Sequence, residues 1–142
     1  MKKQALIVQG GWDGHEPVEV SERFAKVLTA EGFDAEVSDT LDSFLDLEKL
    51  ESLDLIVPCW TMGEITNEQC NNVVEAVAGG VGMAGGHGGM CDSFRNSTQW
   101  QFMTGGQWVA HPGNDGTEYF VDIKNTASPI VEGIKGFAVK SE

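Results

Sequence analysis

Ala5, Leu6, Ile7 and Val8 form an unbroken apolar run closed by Gly10 and Gly11. A strand buried on both faces carries such a run, because neither face returns to water. Beyond the polar stretch GGWDGHE, the periodicity changes. Val20, Phe24, Val27 and Leu28 repeat at helical spacing, with Pro17 suited to the first turn and Gly32 to the stop. Asp34 to Ser38 is a short candidate strand, and one or two helical turns are expected between Ser43 and Leu50. Leu53 to Pro58 is a second strongly apolar strand. Thr66 followed by Gln69 is a capping-box pattern, after which Cys70, Val73, Val74 and Val77 share one helical face up to Gly79 and Gly80. Val81 to Ala84 is another short apolar strand, leading into Gly85-Gly86-His87-Gly88-Gly89. Ser97 to Met103 predicts a helical turn and Thr117 to Ile123 a strand, whereas Phe137 to Val139 is too short to assign alone.

Strands therefore alternate with helices over the first 90 or so residues, which predicts right-handed crossovers and an α/β fold with a mainly parallel sheet. The 142 residues suit one domain, large enough to bury a core without disulfides or metal. In such a sheet, ligands bind outside the carboxyl ends of the strands. Three loops leave those ends. They carry Trp12, Asp13, His15 and Glu16; then Cys59, Trp60 and Glu64; then His87, Cys91 and Asp92. His87 stands out because glycines flank it on both sides, allowing a sharp turn that projects one side chain into the crevice, as a nucleophile elbow does. Trp60, directly after Pro58-Cys59, suits either a ring-stacking platform or the core. Cys91 is a nucleophile candidate by residue type, expected in the first turn of a following helix. His111 lies in an irregular segment. Three histidines with Glu16 or Asp92 give a weak divalent-metal signal, since their spacing matches no zinc pattern.

Charge narrows the partners. Nine basic and 22 acidic residues leave a net charge of −13. That surface repels nucleic acid and anionic membranes, and it favours solubility. The apolar run after Lys2 and Lys3 is too short for a signal peptide, and no segment approaches a membrane span. Three cysteines without a CxxC pair fit a reduced, cytoplasmic protein.

Several segments together resemble the ThuA-like (trehalose-utilisation) family of the class I glutamine amidotransferase-like superfamily. They are ALIVQGG with His15-Glu16, LDLIVPCWTMGEITNEQ with Trp60, GGVGMAGGHGGMCDSF with His87 and Asp92, and GGQWVAHPG with His111. The resemblance spans nearly the whole chain. It implies a flavodoxin-like three-layer α/β/α sandwich and a role in carbohydrate metabolism. It also implies that His87 stands where amidotransferases of the superfamily carry their cysteine, so glutamine hydrolysis through a thioester is not expected. Members usually continue past the point where this sequence stops. The resemblance thus implies a shortened or truncated member in which Glu142 approaches the site.

Two functions follow as expectations. In the first, the protein is an enzyme acting on trehalose or a related sugar. His87 and His15 form an acid/base pair, and Trp60, Asp92, His111, Glu16 and Glu142 bind substrate. In the second, it is a non-catalytic sugar-binding or assembly domain. The expected ligand is a small molecule, and a homodimer is an expected assembly for a parallel-sheet domain of this size.

Overall fold

A computed structural model describes residues 2–111, 113 and 116–141. Its contacts divide the chain into two compact units, Met1–Trp108 and Val109–Glu142.

The first unit is built on four strands: β1 (Lys3–Gly11), β2 (Phe33–Ser38), β3 (Leu55–Thr61) and β4 (Gly82–Met83). They lie in the order β2-β1-β3-β4 with every pair parallel. Three helices make the crossovers: α1 (Pro17–Ala30), α2 (Leu47–Glu51) and α3 (Asn67–Gly79). Two shorter ones follow β4, α4 (Gly88–Cys91) and α5 (Thr98–Thr104). This is a flavodoxin-like arrangement of sheet and helices.

The continuous apolar run of β1 is explained by what lies on either side of it. Successive side chains of a strand point to opposite faces. Ile7 joins Val57 and Cys59 of β3 beneath Val20, Phe24 and Leu28 of α1. Leu6 and Val8 join Ile56 on the other face, with Leu50 of α2, Cys70 and Val73 of α3, and Trp100 of α5. Both faces are thus covered, and Leu6, Ile7 and Val8 are fully buried. Burying each such side chain contributes roughly 1.5–3 kcal/mol. The capping box forms as its sequence predicts. Thr66 Oγ1 accepts from the Gln69 amide, and the Gln69 side chain accepts from the Thr66 amide.

Strand boundaries differ from expectation most at β3 and β4. β4 is shorter than Val81–Ala84, and β3 starts later and runs on through Pro58 to Thr61. Proline is tolerated there because of where β4 stops. In a parallel strand, alternate residues direct their amides to alternate neighbours. Ile56 O accepts from Ala84 N, and this is the last bond toward β4. Pro58, two residues on, faces the same side, where no ladder bond remains for its missing N–H to lose.

The second unit carries an antiparallel pair, β5 (Thr117–Val121) with β6 (Phe137–Ser141), in which Tyr119 faces Val139. The segment too short to assign from sequence is therefore the second strand of this pair. Among the described residues, no helix is long and apolar enough to cross a membrane.

Candidate active site at the strand ends

The extension of β3 determines what reaches the site. Because side chains alternate along it, Cys59 and Thr61 face α1, whereas Trp60 faces the opposite layer. Thr61 is buried, and its Oγ1 shares a hydrogen bond of 3.0 Å with Nδ1 of His15. His15 ends the short turn Asp13–His15 that follows β1. Glu16 then adopts a left-handed conformation (φ 48°, ψ 53°) and redirects the chain into α1, with its amide donating to Asp13 O.

His87 precedes α4 with φ 54° and ψ −141°. Non-glycine residues seldom adopt such a conformation, and its cost is about 1–3 kcal/mol. This is the strained turn that the flanking glycines suggest. It sets the His87 ring at 4.9 Å from the His15 ring, centroid to centroid, with the planes at 72°. Gly88 makes the approach possible. A Cβ there would lie 2.6 Å from Cε1 of His15, closer than real contacts allow. The indole of Trp12 also meets His15 edge-on, at 4.8 Å.

Both imidazoles line a cavity of about 150 Å³, closed otherwise by Pro17, Val20, Phe24, Cys59, Thr61, Gly86 and Gly89. The wall is mainly apolar, and the imidazoles and the Thr61 hydroxyl supply its polar character. Among the described residues, no lysine, arginine, aspartate or glutamate lines it. Burial pushes the Cys59 thiol up to about 11, so Cys59 is a protonated thiol at neutral pH rather than a nucleophile.

The other expected residues lie elsewhere. Trp60 is not at the crevice mouth. It is a residue of β3 packed against the core of the opposite layer. Gly10 and Gly63 make room for its ring, which a Cβ would approach to 2.6 and 2.1 Å respectively. Asp92 is buried away from the cavity, where its carboxylate accepts from Nε and Nη2 of Arg95 at 2.5 and 2.8 Å. That carboxylate raises the pKa of Arg95, and the guanidinium also stacks on Trp108, 4.1 Å from the ring centroid. The Glu16 side chain is exposed and outside the cavity wall. Cys91 is exposed too. It lies in the single turn of α4, as expected, but outside the cavity lining. His111 belongs to the second unit, and Glu142 lies outside the described residues. Among the described residues, no three His, Cys, Asp or Glu side chains gather as a metal site.

Sequence reasoning missed Thr61. Its signal was the alternation itself: once β3 is carried past Pro58, Thr61 falls on the same face as Cys59. Trp12 was placed in the right loop but given no role.

A flavodoxin-like domain with an imidazole on its glycine-rich turn defines the class. The ThuA family, described as trehalose utilisation, matches residues 4–142, and the chain belongs to it. The fold is similar to a crystal structure of a ThuA-like protein from Bacteroides uniformis. The TM-score is 0.73 and the identity 19%, over 98% of this chain. The chain spans 58% of the length of that protein. No curated protein matches it.

Proposed function

We propose that the protein acts on trehalose or a related sugar, with His15 and His87 as a proton-transfer pair. The observation that carries this reading is the 4.9 Å contact of the two imidazoles on the wall of one cavity. Imidazole titrates near neutral pH, so one ring can take a proton from a substrate hydroxyl or α-carbon while the other, protonated, supplies one to a neighbouring oxygen. The hydrogen bond between Thr61 Oγ1 and Nδ1 fixes the orientation of the His15 ring. The chemistry is then isomerisation of a sugar or hydrolysis of a keto-sugar. Neither step needs the thiol that an amidotransferase would use.

Mass spectrometry on trehalose and a panel of aldo- and keto-sugars tests this. Turnover of one sugar is expected, falling by about 100-fold or more in both His15→Gln and His87→Gln, with thermal stability nearly unchanged. Full activity in either variant would sink the pair. A second reading, a sugar-binding domain without catalysis, is favoured by the burial of Cys59, which raises its pKa and withholds a thiolate from the cavity. Sugar binding with no product from any member of the panel would establish it.

A further inference from the structure

We infer that Trp12, not Trp60, is the platform on which the ligand ring stacks, and that the ligand is a neutral sugar rather than a sugar phosphate. The inference rests on the carbohydrate reading above and adds the residue that selects the substrate. Trp12 is about half exposed, at 49%, and its indole lies beside the ring of His15. The rings of Trp12, His15 and His87 follow one another at spacings of 4.8 and 4.9 Å, with the half-buried His15 between two exposed rings and both imidazoles on the cavity wall.

The platform is fixed in place before any ligand arrives. The Trp12 amide donates to Thr61 O at 2.9 Å, tying the loop to the residue that also holds His15. Gly14 lets the indole lie against the turn, since a Cβ there would stand 2.3 Å from its ring. A large, rigid apolar face next to a few polar groups is what a sugar needs. Its C–H face packs on the aromatic ring while its hydroxyls meet the imidazoles. Trp60 is placed differently, since it is half-buried and packed against the core of the opposite layer, outside the lining of this cavity.

Charge selects against phosphate. Among the described residues, no lysine or arginine lines the cavity, and Asp13 and Glu16 are exposed on the loop that bears Trp12. A phosphate brought here would meet these carboxylates and the net charge of −13 with no arginine or lysine to receive it.

The test is a calorimetric titration of the intact protein with trehalose and with trehalose 6-phosphate, alongside intrinsic fluorescence. Trehalose is expected to bind and to shift the tryptophan emission. Trp12→Ala should weaken binding about 10-fold or more, Trp12→Phe by less, and either should abolish the emission shift. Trp60→Phe should retain both. The phosphorylated sugar should bind more weakly than trehalose. Unchanged affinity in Trp12→Ala, or loss of the shift in Trp60→Phe alone, would overturn the platform while leaving the carbohydrate reading intact. Tighter binding of the phosphate form would overturn the neutral-sugar assignment. Absence of binding by trehalose, its 6-phosphate and every aldo- and keto-sugar of the panel would overturn the carbohydrate reading and the inference with it.

Discussion

At the scale of single residues, the cavity separates three kinds of polar group. His15 and His87 are paired, Thr61 positions one of them, and Cys59 is silenced by burial. The Cys59 effect is measurable. Its thiol is held up at about 11 against an ordinary value of 9.0, so the folded state binds the proton more tightly than the unfolded chain. The resulting stabilisation is complete below pH 9 and is lost as the pH rises toward 11. Urea denaturation of wild type and Cys59→Ala should therefore show a stability difference that shrinks between pH 8 and pH 11. A difference independent of pH would refute the shift. His87 could be read from sequence because the glycines around it announce a turn only a strained backbone needs. Trp12 and Trp60 could not be told apart, since both follow apolar runs. What distinguishes them is where each strand ends: β1 stops at Gly11 and leaves Trp12 in the loop that bears His15, whereas β3 runs on to Thr61 and keeps Trp60 against the core.

At the scale of elements, hydrophobic spacing located every crossover helix and the strand preceding it. The errors fall where a local rule yields to its neighbours. Proline ordinarily marks the end of a central strand, yet Pro58 sits within β3 because β4 has already stopped beside it. β6 is too short to be assigned alone and is specified by pairing with β5. Where a rule is purely local, the sequence suffices, and α3 is the case in point. Its capping box satisfies an amide at the helix start, while the Gln69 amide group also donates to Asp42 Oδ1 at 3.2 Å. Thr66→Ala should cost about 1 kcal/mol, lowering the melting temperature by roughly 3 °C. Thr66→Ser should restore most of this. Calorimetry that finds both variants equal to wild type would remove the cap from the list of stabilising contacts.

At the scale of the whole molecule, alternation of strand and helix was enough to predict the parallel sheet, because crossovers of one hand leave few other arrangements. Charge acts at the same scale, and differently. A net charge of −13 opposes compaction through self-repulsion. Three ion pairs occur among the described residues: Lys49–Glu36, Arg95–Asp92 and Lys124–Asp122. Each has at least one partner that is substantially exposed, and such pairs contribute little. Added salt therefore has much repulsion to screen and little attraction to weaken. The screening length falls from about 30 Å at 10 mM to about 8 Å at 150 mM. Raising NaCl over that range at pH 7 should increase the melting temperature by a few degrees, equivalent to about 1 kcal/mol. MgCl₂ at equal ionic strength should give the same increase, because screening by a diffuse atmosphere depends chiefly on ionic strength. A larger increase with magnesium would reveal specific cation binding, and a melting temperature that fell with NaCl would mean that the ion pairs outweigh the repulsion.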